Sequence, residues 1–359
     1  MPFEEFEKPP TPPEEEEVEE KIEEEVEEKP KEEKEEEVEE KEKIEEKPEV
    51  ELEKEEELPR YEFLQIDLKK PLEEQPYDFG IEVTLPGAKN DLDHHGPEDT
   101  SETPSACEQA LELEEEKIPP KGAKIGFLRP DGDTFAAVAV LELRAEGRKF
   151  NSEIVKAVGT LDRKGPKEAE EKYIHLREEI VAILRVAADP KIPLSLEERI
   201  KFIKKVLEEN PEIKKEVQRL TKERDEEFEK AKRESEVKVT PDGKIAQVIS
   251  KHRFAMSLGY EEANIVIATN PEMLILKKTP EGKLVPTGET YLKHTIARIS
   301  SFVPLDMKGL VEELNKIEQE KGGRPNWGGR GDIIGSPMEI SSKISSDELI
   351  KIARKYIPK

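Results

Sequence analysis

Lys124-Ile125-Gly126-Phe127-Leu128, then Arg129-Pro130-Asp131-Gly132-Asp133, then Thr134-Phe135-Ala136-Ala137-Val138-Ala139-Val140-Leu141-Glu142-Leu143, is the run whose reading decides the fold. The first five residues form a short apolar block of strand length. Pro130 and Gly132 mark a turn, and the small-residue-rich stretch after it is long enough for a helix. Strand, acidic turn and helix make the βα unit of an open parallel sheet, where ligands bind at the carboxyl ends of the strands. The two aspartates of that turn therefore stand where a site is expected.

Upstream, Tyr61 to Asp67 alternates as a strand and Ile81 to Leu85 reads as a second one. Pro86-Gly87 then turns the chain toward Asn90-Asp91-Leu92-Asp93-His94-His95, and a helix through Ala106 to Leu113 is expected with Thr103 as its cap and Pro104 in its first turn. Downstream, residues 152–236 have helical spacing and high charge. Pro166 to Ala188 is one expected helix, Leu196 to Glu209 a second with Ser195 and Glu198 as a capping box, and Pro211 to Glu234 a third. From Val237 a hairpin about Pro241-Asp242-Gly243-Lys244 opens an α+β segment. It has strands at Ile265–Ala268, Met273–Leu276 and Tyr291–Ser300, helices at Asp306–Lys321 and Ser346–Tyr356, and a glycine-rich loop over 322–332.

The expected fold class is α/β: a mostly parallel sheet lobe with helices on both faces (61–165), a charged helical connector (166–236) and a smaller α+β lobe (237–359). These follow an acidic segment, 1–60, in which 30 acidic and 10 basic residues carry −20 of the formal net charge of −27. So few apolar residues cannot offset chain entropy, so this tail is expected to be disordered, either as a solubilising extension or as a lure for a basic partner. The lone Cys107 excludes an intramolecular disulfide framework and a cysteine-built zinc site. No apolar run nears the ~20 residues of a membrane span, and a basic n-region with an apolar h-region is missing, so a soluble, cytoplasmic protein is expected. Walker loop, nucleophile elbow and GxGxxG are absent too.

Carboxylates with one or two imidazoles suit Mn²⁺, Mg²⁺, Fe²⁺ or Zn²⁺, and two ions ~3.5–4 Å apart can activate water and clamp a phosphoryl group. The chain offers Asp67, Asp91, Asp93, His94, His95, Asp131, Asp133 and Asp162 for such a site. Taken singly, Pro-Asp-Gly-Asp is also a common turn, and carboxylates at a helix start are stabilised by its dipole without any metal. In the loop Gly322-Gly323-Arg324-Pro325-Asn326-Trp327-Gly328-Gly329-Arg330, glycine N–H groups and the two arginines can hold phosphate while Trp327 stacks on a base. The other reading is a structural turn anchored by Trp327.

Asp93-His94-His95 resembles the signature tripeptide of the DHH phosphoesterase superfamily. Pro130-Asp131-Gly132-Asp133-Thr134 with its Ala-rich helix resembles that family's first metal motif, and the glycine-rich loop resembles the substrate-binding loop of the DHH-associated C-terminal domain. The resemblance spans roughly residues 61–357. It implies a two-lobed hydrolase with two ions, usually Mn²⁺ and otherwise Mg²⁺, that cleaves a phosphodiester or phosphoanhydride. By the resemblance His94, Asp131 and Asp133 are metal ligands, joined by Asp67 as the lone bridging aspartate and Asp162 as the fourth-motif ligand. His95 lies beside the metal or faces substrate, Asp93 orients a histidine, and Arg324, Trp327, Gly328, Gly329, Arg330 and Ser336 bind substrate. Two features depart from the family: Asp-x-Asp follows the tripeptide instead of preceding it, and Phe127 stands where a histidine is usual. The implied partners are a phosphate-containing substrate, such as a short single-stranded nucleic acid or a nucleotide, and a second copy of the chain in a homodimer. No membrane is expected. The alternative function is a catalytically inactive nucleotide- or oligonucleotide-binding protein of the same fold.

Overall fold

The computed structural model of the 359-residue chain describes residues 60–95, 99–279, 284–329 and 331–358. The expected disordered tail, apart from Arg60, and Arg330 of the glycine-rich loop lie outside the described residues. The chain is α/β, built on a parallel three-stranded sheet and a mixed six-stranded one. Among the described residues no helix is long and apolar enough to cross a membrane.

The first half runs β1 (Glu62–Gln65), β2 (Phe79–Ile81), α1 (Ala106–Glu112), β3 (Lys124–Phe127), α2 (Gly132–Ala145) and α3 (Ser152–Lys164). It continues through α4 (Pro166–Tyr173), α5 (Arg177–Ala188), α6 (Leu196–Leu207) and α7 (Lys214–Glu234). β3 lies between β1 and β2, parallel to both. Its position is central because Ile125 and Phe127 are both buried, and Phe127 meets Phe135 of α2 edge-on at 6.1 Å. The usual histidine of the resemblance is thus replaced by a core side chain. α2 is apolar almost all round, as suits a helix enclosed on every side. Gly132 at its start packs against Leu184 of α5, whose side-chain end would have to move to admit a Cβ 2.5 Å away.

Three local expectations shift. The second strand ends at Ile81, because Glu82 turns into left-handed backbone at φ +54°. α1 is capped by Ser105 and not Thr103, because Glu108 closes a capping box with Ser105. Residues 166–188 divide into α4, a 3₁₀ turn and α5, whereas the Ser195–Glu198 capping box forms as expected. The helices after Gly165 also do more than connect. Ile183, Val186, Ile200, Ile203 and Leu207 join Ile125, Phe135 and Leu141 in one apolar cluster, so the core is continuous across residue 165. Each such fully buried side chain stabilises the fold by roughly 2 kcal/mol.

The second half runs β4 (Glu236–Val239), β5 (Ile245–Ile249), α8 (Ala255–Tyr260), β6 (Ile265–Lys278), β7 (Leu284–Arg298), α9 (Met307–Glu320), β8 (Gly328–Gly329), β9 (Ile333–Gly335) and α10 (Ser346–Ala353). Strand order is β4-β5-β6-β7-β9-β8, with only β5 and β6 parallel. The two short strands expected at 265–276 are one long strand whose ladder slips between Asn270 and Met273, where Pro271 has no N–H to give. Ile267, Ile296, Leu310, Leu314 and Leu349 form the core beneath α9 and α10. The halves meet where Ser300 and Ser301 donate to the Asp99 carboxylate, and where Arg253 pairs with Asp189 at 2.8 Å and with Glu227 at 2.5 Å. Beside this seam lies a cavity of about 300 Å³.

Candidate metal centre

The cluster is assembled where β2 ends. Leu92 N–H donates to Gly80 O at 3.1 Å and Glu82 N–H to Leu92 O at 2.9 Å, so the 91–95 segment runs along the end of the strand. Asp91 accepts from Gly80 N–H at 3.1 Å, and Gln109 of α1 donates to Asp93 O at 2.9 Å. Those bonds place His94 and His95 beside Glu82, with ring centroids 4.1 Å apart. Asp133 arrives from the first turn of α2 and Asp162 from the last turn of α3. The latter helix is held to α1 by the Arg163 fork on Glu108, at 2.7 and 3.0 Å.

His94 is only 2 % exposed, and its Nε2 lies 2.9 Å from Asp162 Oδ2, 3.1 Å from Glu82 Oε1 and 3.9 Å from Asp133 Oδ2. Yet neither ring nitrogen of His94, nor Glu82 Oε1, has an aligned hydrogen-bond partner. Buried polar atoms without partners are costly, at about 1–3 kcal/mol each. Ligands ~2.1 Å from one cation and at right angles lie ~3.0 Å apart, which is the separation seen around His94 Nε2. Two overlapping groups have this character, Glu82 with His94 and His95, and His94 with Asp133 and Asp162. These residues fit a divalent ion.

The electrostatics agree. Burial by itself would lower the His94 pKa, but the Asp162 and Glu82 carboxylates prevail and push it up to about 12. His95, 3.0 Å from Glu82 Oε2, is raised in the same way to about 9. Burial would raise Glu82, but both imidazoles hold it well below the usual carboxylate range. Burial and the charges of Glu82 and Asp162 push Asp131 up to about 7 and raise Asp133 well above its ordinary value. In the ion-free protein protons take the place of the missing positive charge.

Each residue named from the sequence and described in the structure, Arg330 thus excepted, has a definite place. His94, Asp133, Asp162 and His95 converge, and Asp131, which accepts from Thr134 N–H at 2.9 Å, lines the adjoining cavity with Asp133 and Asp162. Asp133 has a structural duty as well, since it accepts from the Ala106 and Cys107 N–H groups that open α1, at 2.8 and 3.0 Å. Asp93 accepts from the backbone N–H of His95 at 3.0 Å instead of orienting a ring. Asp67 is a correction. It is exposed, it accepts from Lys69 N–H at 3.0 Å within its own turn, and it is absent from the converging ligands. Trp327 is another. Its indole is 4 % exposed, donates to Glu318 at 2.9 Å and stacks on His294 at 6.2 Å, so no face is open to a base. Ser336 is buried and accepts from His294 N–H, Gly328 and Gly329 form β8 against β9, and Arg324 is exposed.

Glu82 is the candidate ligand that the sequence reading missed. Within Ile81-Glu82-Val83-Thr84-Leu85 it looks like the outward residue of an alternating strand, and nothing local announces its positive φ. No protein-family model matches the chain, and no curated protein matches it either.

Proposed function

We propose that the protein is a metal-dependent phosphoesterase of DHH type, using two manganese ions to hydrolyse a phosphodiester or phosphoanhydride in a nucleotide or short nucleic acid. The observation that carries this reading is His94 Nε2, buried among three carboxylates with no aligned hydrogen bond. One ion would be held by His94, Asp133 and Asp162, and the other by Glu82 and His95 next to His94, with Asp131 in the cavity beside Asp133 and Asp162. Two imidazoles in the set favour Mn²⁺ over Mg²⁺. Such ions supply Lewis acidity and lower the pKa of a water.

The chain's own residues do the rest. Asp133 is locked between α2 and α1, so its carboxylate presents a fixed edge. Tyr260, in the cavity wall, has its pKa raised by burial and secondarily by the charge of Asp332. The test is hydrolysis of bis(p-nitrophenyl) phosphate by the chelator-stripped protein before and after Mn²⁺ is restored. Activity that appears only with Mn²⁺ supports the reading. Mn²⁺ binding without hydrolysis of this or a nucleotide substrate leaves a binding protein instead.

A further inference from the structure

Among the described residues the lining of the 300 Å³ cavity carries the carboxylates of Asp131, Asp133, Asp162, Glu170 and Glu261, and one cation, Arg224. A guanidinium in such company ordinarily pairs with an acid. Arg224 does so only weakly. Its nearest carboxylate is its chain neighbour Asp225, with Nη1 to Oδ1 at 3.4 Å. Both oxygens of Asp225 already receive the fork of Arg177, at 2.6 and 2.9 Å. Arg224 is instead held by aromatic faces, its guanidinium carbon 4.8 Å from the Phe228 ring centre and 5.9 Å from that of Phe254.

Rings fix the plane of a guanidinium without consuming its in-plane donors. Arg224 therefore keeps unspent N–H groups at a fixed place in the cavity that adjoins the metal ligands. We propose that Arg224 is the anion subsite of this cavity, donating a charge-assisted fork to a phosphate oxygen of the substrate. This rests on the phosphoesterase reading for the substrate's identity, but on Arg224's own surroundings for the subsite. A volume of about 300 Å³ is at the small end of ligand pockets, suited to one phosphate with one ring-sized group. Leu184, Tyr260 and Ile299 offer that group an apolar wall.

The experiment uses the full chain loaded with Mn²⁺, as wild type, Arg224→Gln and Arg224→Lys. Calorimetry reads the affinity for inorganic phosphate and for Mn²⁺, and steady-state kinetics reads bis(p-nitrophenyl) phosphate. For Arg224→Gln, phosphate affinity falls and KM rises by about tenfold or more, with kcat within about threefold and Mn²⁺ affinity unchanged. The Lys variant loses about threefold or more, because an ammonium cannot offer a fork; should the Gln variant not fold, this variant decides. Phosphate affinity that is unchanged in a folded variant, or absent from the wild type, overturns the subsite. Phosphate binding that depends on Arg224 in a protein that hydrolyses nothing keeps the subsite and sinks the phosphoesterase reading. Hydrolysis with a KM indifferent to Arg224 does the reverse.

Discussion

His94 and His294 are both buried histidines with carboxylates near them, and they are opposite in kind. The Nδ1 of His294 pairs with the Thr269 hydroxyl at 2.9 Å and its Nε2 with Ile344 O at 3.0 Å, while its ring stacks on Trp327 at an interplanar angle of 7°. The carboxylate beneath that stack, Glu318, is equally satisfied: it accepts from Trp327 Nε1 at 2.9 Å, Ser342 Oγ at 2.7 Å and Lys343 N–H at 2.7 Å. His94 has closer carboxylates and no aligned bond at either nitrogen. Burial with every valence answered indicates structure, and burial with carboxylates converging on an imidazole without an aligned hydrogen bond is a geometry that could hold an ion. Both histidines are buried, so the difference between the two halves lies in how many carboxylates converge and in whether the ring nitrogens are satisfied.

The largest effect expected from this contrast is on activity. His94→Ala removes the imidazole common to both ligand groups, so the proposed Mn²⁺-dependent hydrolysis should fall by roughly a thousandfold, with Mn²⁺ affinity reduced in calorimetry. His294→Gln should leave both quantities within about twofold of wild type. Equal losses in the two variants would break the comparison.

The next effect is on stability and lies in the other half. Glu318→Ala leaves two buried donors and one part-buried donor unanswered, and a cost of about 3–5 kcal/mol in denaturant unfolding is expected. Mn²⁺ affinity should be unchanged, and a variant that loses the metal without losing stability would reverse the assignment of roles.

pH separates the sites more finely. Burial pushes the His294 pKa down to about 4 from an ordinary 6.5. The folded state thus refuses a proton that the unfolded chain accepts between those values. This contribution is complete above pH 6.5 and is lost as pH falls toward 4, by about 2–3 kcal/mol between pH 7 and 4.5. His294→Gln has no such group, so the gap in unfolding free energy between wild type and variant should shrink over that interval. A constant gap would mean that His294 remains solvated.

How much of this the sequence disclosed depended on whether a residue's role was local. The turn Asp131-Gly132-Asp133 and its helix were legible because strand, turn and helix are neighbours in the chain, and so were the adjacent histidines. Ser195 and Glu198 were legible for the same reason. Asp67 misled because a lone carboxylate after a strand looks the same whether it faces a site or, as here, its own turn. Trp327 misled because only the fold puts Glu318, His294 and the indole together, from α9, β7 and the loop. Glu82 escaped because its role is set by a backbone angle that alternation does not encode.

That angle supports the smallest prediction and the most discriminating one. A residue other than glycine or asparagine at φ +54° costs about 1 kcal/mol, and here it also buries a carboxylate near Asp133 and Asp131, whose pKa values it helps to raise. Glu82→Asn accepts the left-handed conformation but takes the carboxylate from between His94 and His95, whose pKa values it raises, so the ion-free protein should lose about 1–2 kcal/mol in denaturant unfolding, the lost pairing outweighing the strain released. The same variant should bind Mn²⁺ more weakly, because one ligand group loses its carboxylate. Added Mn²⁺ should stabilise wild type more than the variant, so the stability gap between them should widen with the metal. A gap that Mn²⁺ leaves unchanged makes Glu82 a structural partner of the two histidines, and the contrast with Glu318 disappears.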